Sequence, residues 1–87
     1  MDNQRVAVLR LTLLRLLDQV GGYKFPQHIL FIHLNAELAV TEAELVRELS
    51  WLADKGYVEH SIDSISQKKL WVITEAGRER LPKISQP

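Results

Sequence analysis

Three histidines, His28, His33 and His60, are the obvious candidate metal ligands of this 87-residue chain. His28 and His33 lie roughly 140° apart round a helix at about 100° per residue, so one ion cannot take both from that helix. His33 and Glu37 have the i, i+4 spacing that puts two ligands on one face. They have no third ligand beside them, and the chain has no cysteine, so no metal site is expected. His60 falls in a strand-like run with no partner that spacing can name. Catalysis has as little support. No glycine-rich loop joins a strand to a helix to cradle a phosphate. No Ser, His and Asp set can be placed together, and no paired carboxylates face a foreseeable cleft. Neither an enzymatic activity nor a cofactor is expected.

Charge is the remaining chemistry. Lysine plus arginine equals aspartate plus glutamate, 11 of each, so the whole-chain field favours no polyanion. The distribution says more than the sum. From Thr41 to Lys55 the acids Glu42, Glu44, Glu48 and Asp54 outnumber Arg47 and Lys55, whereas from Lys68 to Lys83 the bases Lys68, Lys69, Arg78, Arg80 and Lys83 outnumber Glu75 and Glu79. The positive side of the molecule therefore lies late in the chain.

The elements that carry these residues can be read from periodicity and punctuation. A chain of 87 residues forms one small domain, expected over residues 1–82 with a frayed tail at 83–87. Nearly half the residues are apolar and a quarter charged, a globular balance without a membrane-length apolar run. With no signal sequence and no disulfide framework, a soluble cytoplasmic protein is expected. Residues 3–20 read as a helix through Val6, Leu9, Leu13, Leu16 and Val20, ended by Gly21-Gly22. Val8 and Leu11 lie outside its stripe and Arg10 within it. The surplus suggests a second contact surface, with Arg10 either reaching past its neighbours to water or forming an ion pair across a dimer. Tyr23 to Phe25 suits a short edge strand, and Pro26 suits the first turn of a second helix, residues 26–38. Ile29, Ile32 and Ala36 oppose Leu30, Phe31, Leu34 and Leu38 on that helix, so it should be covered on two sides, by the first helix or by a partner subunit.

The third helix has the clearest limits. Thr41 and Glu44 have the spacing of a capping box, with Val40 and Leu45 as the hydrophobic staple, and Gly56 is placed to close the helix in the left-handed conformation. Leu45, Val46, Leu49, Leu52 and Ala53 form its apolar stripe, which leaves Glu44, Arg47, Glu48, Ser50, Trp51, Asp54 and Lys55 outside. Tyr57 to Ile62 and Leu70 to Thr74 read as a hairpin with a polar tip, Asp63 to Lys69. Thr74 then caps a short helix, Glu75 to Leu81, stopped by Pro82.

This order of elements predicts an α+β, mostly α fold with a three-helix core, a two-stranded wing and a short C-terminal helix. The sequence also resembles the winged helix-turn-helix superfamily. The similarity rests on Leu49-x-x-Leu52-x-x-Lys55-Gly56-Tyr57-Val58-Glu59, followed by Trp71-Val72-Ile73-Thr74-Glu75-Ala76-Gly77 and Leu81. These pieces resemble the recognition helix, wing and Thr-x-x-Gly ending of MarR-like and PadR-like bacterial regulators. The resemblance implies that Thr41 to Lys55 is the recognition helix and Asp63 to Lys69 the wing tip. It further implies that Arg47 and Ser50 approach bases of double-stranded DNA, while Lys68, Lys69 and Arg78 approach phosphates. A homodimer through the first helix would set two recognition helices ~34 Å apart on a palindromic site.

The acids of the third helix work against this reading, because Glu44, Glu48 and Asp54 beside one arginine meet the phosphate field with the wrong sign. The alternative is a protein-interaction module that docks through the third helix and Trp51, while Val8 and Leu11 of the first helix are interface candidates for the second contact surface. Trp51 lies roughly 160° from the middle of the apolar stripe, so its indole either packs over the first helix or the hairpin, or is held for a partner. A third reading lets the wing alone hold DNA.

Overall fold

The computed structural model describes residues 3–81. In chain order it forms α1 (Asn3–Gln19), β1 (Phe25–Pro26), α2 (Gln27–Leu38), α3 (Glu42–Asp54), β2 (Val58–Ile62), β3 (Lys69–Ile73) and α4 (Glu75–Arg80). The strands make one antiparallel sheet in the order β1-β3-β2. Four helices and this small sheet are a mostly helical winged helix. The expected stop at Pro82 and the tail 83–87 lie outside the described residues. No helix among the described residues is long and apolar enough to cross a membrane.

The core follows the helical periodicity. Leu9, Leu13, Leu14 and Leu17 of α1 meet Leu30 and Leu34 of α2 and Leu45, Leu49 and Leu52 of α3, and Val40, Val58, Trp71 and Ile73 complete the cluster. Each such side chain contributes ~1.5–3 kcal/mol when fully removed from water, the favourable term that opposes chain ordering. On α2, Phe31 and Leu38 pack against this core, but Ile32 on the opposite side stays 57% exposed. The single chain therefore supplies one of the two covers that the pattern of α2 asks for.

Both ends of α3 form as the spacing predicts. Thr41 Oγ1 accepts from Glu44 N at 3.1 Å, and Glu44 Oε1 accepts from Thr41 N at 3.0 Å. At the other end Tyr57 N donates to Leu52 O at 2.9 Å and Gly56 N to Ala53 O at 3.0 Å, with Gly56 at φ 80°. This pair of bonds is a Schellman closure, which needs a residue tolerant of positive φ at that position.

The Thr-x-x-Gly ending locks the hairpin to this closure. Thr74 Oγ1 accepts from Gly77 N at 3.0 Å to cap α4, and the same hydroxyl donates to Gly56 O at 2.6 Å. Thr74 N donates to Tyr57 O at 3.0 Å. Gly77 is buried against this joint, where an added Cβ would press on Tyr57 O and sit 2.8 Å from Ile73 Cγ1. The two halves of the sequence motif, 18 residues apart, are thus one contact.

The edge strand forms slightly later than expected. Phe25 and Pro26 pair with Trp71 and Leu70, while Tyr23 is exposed outside the strand. Pro26 has no N–H to offer a ladder, which an edge strand tolerates. It serves as the N-cap residue of α2, which starts at Gln27, one position later than the sequence suggests. Trp71 Nε1 donates to Gln27 Oε1 at 2.9 Å, and this bond fixes the start of α2 to the central strand.

Candidate nucleic-acid interface

The face that α3 turns to the core differs from the apolar stripe read in the sequence. Leu45, Glu48, Leu49 and Leu52 are buried, while Val46 is 41% exposed. The buried arc is rotated by roughly 50° at about 100° per residue. Glu48 is therefore not an outward acid, and Arg10 neither runs to water unpaired nor waits for a dimer partner. Arg10 Nε donates to Glu48 Oε1 at 2.6 Å within the same chain. Arg47 Nε approaches Glu48 Oε2 at 3.3 Å. A carboxylate that is 2% exposed is tolerated because two guanidinium groups flank it. Apolar periodicity alone cannot register this arrangement.

Glu44 is neutralised in a similar way. Arg5 donates from Nε to Glu44 Oε2 at 3.0 Å and from Nη2 to Oε1 at 3.1 Å. It also reaches the α2 carbonyl end at Leu38 O and Ala39 O, each at 3.4 Å. The Arg5 hydrogen bond, with the Thr41 backbone bond next, lowers the Glu44 pKa from 4.5 to about 2. Two of the three acids that opposed a groove-facing reading are accordingly engaged by arginines of α1.

Glu42, Ala43, Val46, Arg47, Ser50 and Asp54 remain exposed on the outward side. Arg47 is 55% exposed, so it can present its guanidinium outward while Nε rests near Glu48. Glu42 and Asp54 are the acids left on this side against Arg47, so the face is less acidic than the sequence pattern suggests but not basic.

Trp51 lies on the flank of α3 toward α1. The Arg10 guanidinium covers its ring at 3.6 Å from the centroid, and the Tyr57 ring lies 6.3 Å away. The indole is partly buried and packs toward the first helix. Cation–π contact and partial burial give the indole an internal role. Val8 is 43% exposed on α1 and Leu11 is half-buried three positions on.

The wing brings Lys68 and Lys69 to an exposed hairpin end. There they line an open recess of about 260 Å³ with Gln27 and His28. The first turn of α2 has no side-chain cap, because its N-cap is Pro26. Its free amides and the positive end of the helix dipole therefore add to the lysines, an arrangement suited to a phosphate oxygen. The sequence reading missed Gln27 and His28. The signal was the proline at the start of α2, whose pairing with β3 carries that helix end to the wing.

Arg78 does not join this group. It contacts Asp18 of α1 at 3.5 Å, near the end of the hairpin where Ile73 pairs with Val58. The wing lysines lie about 13–17 Å away along the strand at ~3.3 Å per residue. Among the described residues no group of three or more His, Asp or Glu side chains is arranged to hold a metal ion.

A family model described as a winged helix DNA-binding domain matches residues 9–86. No curated protein and no solved structure matches the chain.

Proposed function

The chain belongs to the winged helix DNA-binding domain family, and from that premise we propose that it is a regulator of transcription or an accessory DNA-binding factor of the MarR-like or PadR-like kind. It acts as one small domain that holds duplex DNA at two places. Arg47 and Ser50 on α3 approach base edges in the major groove, where an arginine suits guanine O6 and N7. Lys68 and Lys69 on the wing, aided by the start of α2, take the phosphates. The observation that carries this reading is the pairing of Glu44 with Arg5 and of Glu48 with Arg10. It takes two of the four acids of α3 out of the exposed set, which supports the DNA reading over protein docking through α3. A homodimer through Val8 and Leu11 of α1 would repeat the two contacts on a palindrome.

Titration of labelled mixed-sequence duplex DNA at about 50 and 200 mM salt tests the proposal. The expected result is binding that weakens steeply with salt. Lys68→Ala with Lys69→Ala lowers affinity on every sequence and flattens the logarithmic salt slope by up to about 1.8, at ~0.9 per lost phosphate contact. Arg47→Ala changes the sequence preference more than the slope. Unchanged binding in the double lysine variant would remove the wing from the interface, and no binding at the lower salt would remove DNA.

A further inference from the structure

The largest unexplained apolar exposure lies on the wing. Ile65 is 92% exposed at the hairpin tip, and Ile62 at the end of β2 is 51% exposed. A single exposed aliphatic residue is ordinarily unremarked. This one differs in how firmly the chain presents it. Asp63 N donates to Lys68 O and Gln67 N to Asp63 O, both at 2.8 Å. The Asp63 carboxylate accepts from Ser66 N at 2.7 Å and from Ser66 Oγ at 2.8 Å. Gln67 takes a left-handed φ of 62°, and its Nε2 donates to Ser64 O at 3.1 Å. The polar groups of the tip are thus spent on one another. Ile65 is left as a preformed apolar point, with Lys68 and Lys69 at its base.

From this geometry we infer that Ile65 is a wedge that enters the minor groove of duplex DNA and partly unstacks a base step. The inference rests on the DNA reading above and specifies what the wing does there. The minor groove is ~6 Å wide, enough for one branched aliphatic side chain, and its phosphate walls attract the flanking lysines. An apolar wedge gains by leaving water and costs a few kcal/mol of stacking, so it favours the steps that unstack most easily. Those are pyrimidine–purine steps such as TA. The wing would then select sequence by deformability, at a position where no hydrogen bond reads a base. Charge complementarity favours the duplex over a second copy of this chain, because the lysines beside Ile65 would meet lysines.

The test uses two duplexes of the same length, one centred on a TA step and one on AA, each with 2-aminopurine at the centre. Base emission reports unstacking, and anisotropy reports binding. The expected result is an emission rise on the TA duplex that Ile65→Ala abolishes and Ile65→Leu keeps. Ile65→Ala should also weaken binding to the TA duplex about tenfold, ~1.4 kcal/mol, with its salt slope unchanged. Binding by the parent without an emission change, or equal affinity and emission in Ile65→Ala, would overturn the wedge and leave the DNA reading standing. Absence of any binding at about 50 mM salt would overturn both. Self-association without DNA that Ile65→Ala abolishes would assign the tip to a second copy instead.

Discussion

Gly77→Ala examines the joint that fixes the wing to α3. The added methyl group would fall well inside contact distance of Tyr57 O and 2.8 Å from Ile73 Cγ1, where non-bonded carbons prefer about 3.5–4.0 Å. The Tyr57 carbonyl cannot easily turn away, because it accepts from Thr74 N at 3.0 Å and follows the α3 closure directly. Relief therefore requires α4 to withdraw. That movement weakens the Thr74 cap on Gly77 N and strains the Thr74 hydroxyl bond to Gly56 O. Overpacking of this kind costs ~1–3 kcal/mol and loss of a cap ~1 kcal/mol, together about 2–4 kcal/mol. In a domain of this size each kcal/mol lowers Tm by roughly 4–8 °C, so a drop of about 10–30 °C is expected. Circular dichroism melts, supported by urea titration, measure it. Gly22→Ala is the control, since nothing lies within 4 Å of its added Cβ. It should leave stability unchanged or raise it slightly. A Gly77→Ala protein within about 0.5 kcal/mol of the parent would refute the joint as described.

Three further outcomes follow from the ion pairs and the exposed face of α1. Arg10→Met leaves the Glu48 carboxylate, 2% exposed, with Arg47 as its remaining neighbour. A loss of about 2–3 kcal/mol is expected in urea denaturation, below the usual ~3–5 because Arg10 and Arg47 are partly solvated. Adding Glu48→Leu should recover most of it, and no recovery would mean that Arg10 acts mainly through Trp51. Glu44 has a folded pKa of about 2 against an ordinary 4.5, so the stability it adds is complete above 4.5 and is lost as pH falls toward 2. The stability gap between the parent and Glu44→Gln should accordingly be wider at pH 6 than at pH 2.5, and a gap independent of pH counts against the Arg5 bond. If α1 carries a homodimer, Val8→Glu with Leu11→Glu should shift sedimentation toward monomer without lowering Tm by more than a few degrees. A parent that sediments as a monomer at every concentration excludes that dimer.

What the sequence makes legible here depends on the range of the interactions involved. The limits of α3 are set within a few residues, by the Thr41 and Glu44 capping bonds and by Gly56, and the structure has both. The Thr74-x-x-Gly77 ending is local in the same sense, since Thr74 caps the amide three positions on. The orientation of α3 is not local. Val46 and Glu48 exchange places relative to an apolar stripe because Glu48 finds Arg10 at a separation of 38 residues. No hydropathy scale assigns a carboxylate to a core without knowing its partner. The start of α2 is a similar case. Pro26 reads as the first helical residue until its pairing with Leu70 makes it the last residue of an edge strand. That pairing is what carries Gln27 and His28 to the wing. The ion pair of Arg78 with Asp18, at the far end of the hairpin from the wing lysines, is likewise a contact that spacing does not foretell.

The way α3 distributes its charges bears on how such a domain can bind a polyanion while carrying no net charge. The acids toward α1 are neutralised by Arg5 and Arg10, and the same pairs hold α3 at a fixed rotation over the core. The outward face then carries Arg47 against Glu42 and Asp54, which gives it no long-range attraction for phosphate. Discrimination between bases requires little attraction, because hydrogen bonds to base edges act only at contact. Under the proposed function attraction comes from elsewhere, from the lysines at the wing and the uncapped amides at the start of α2. On the proposed reading, affinity and selectivity fall to different elements. The Thr74 joint to Gly56 and Tyr57 is what keeps the two at a constant separation. A change that loosens this joint should therefore weaken binding even where every DNA-facing side chain is intact.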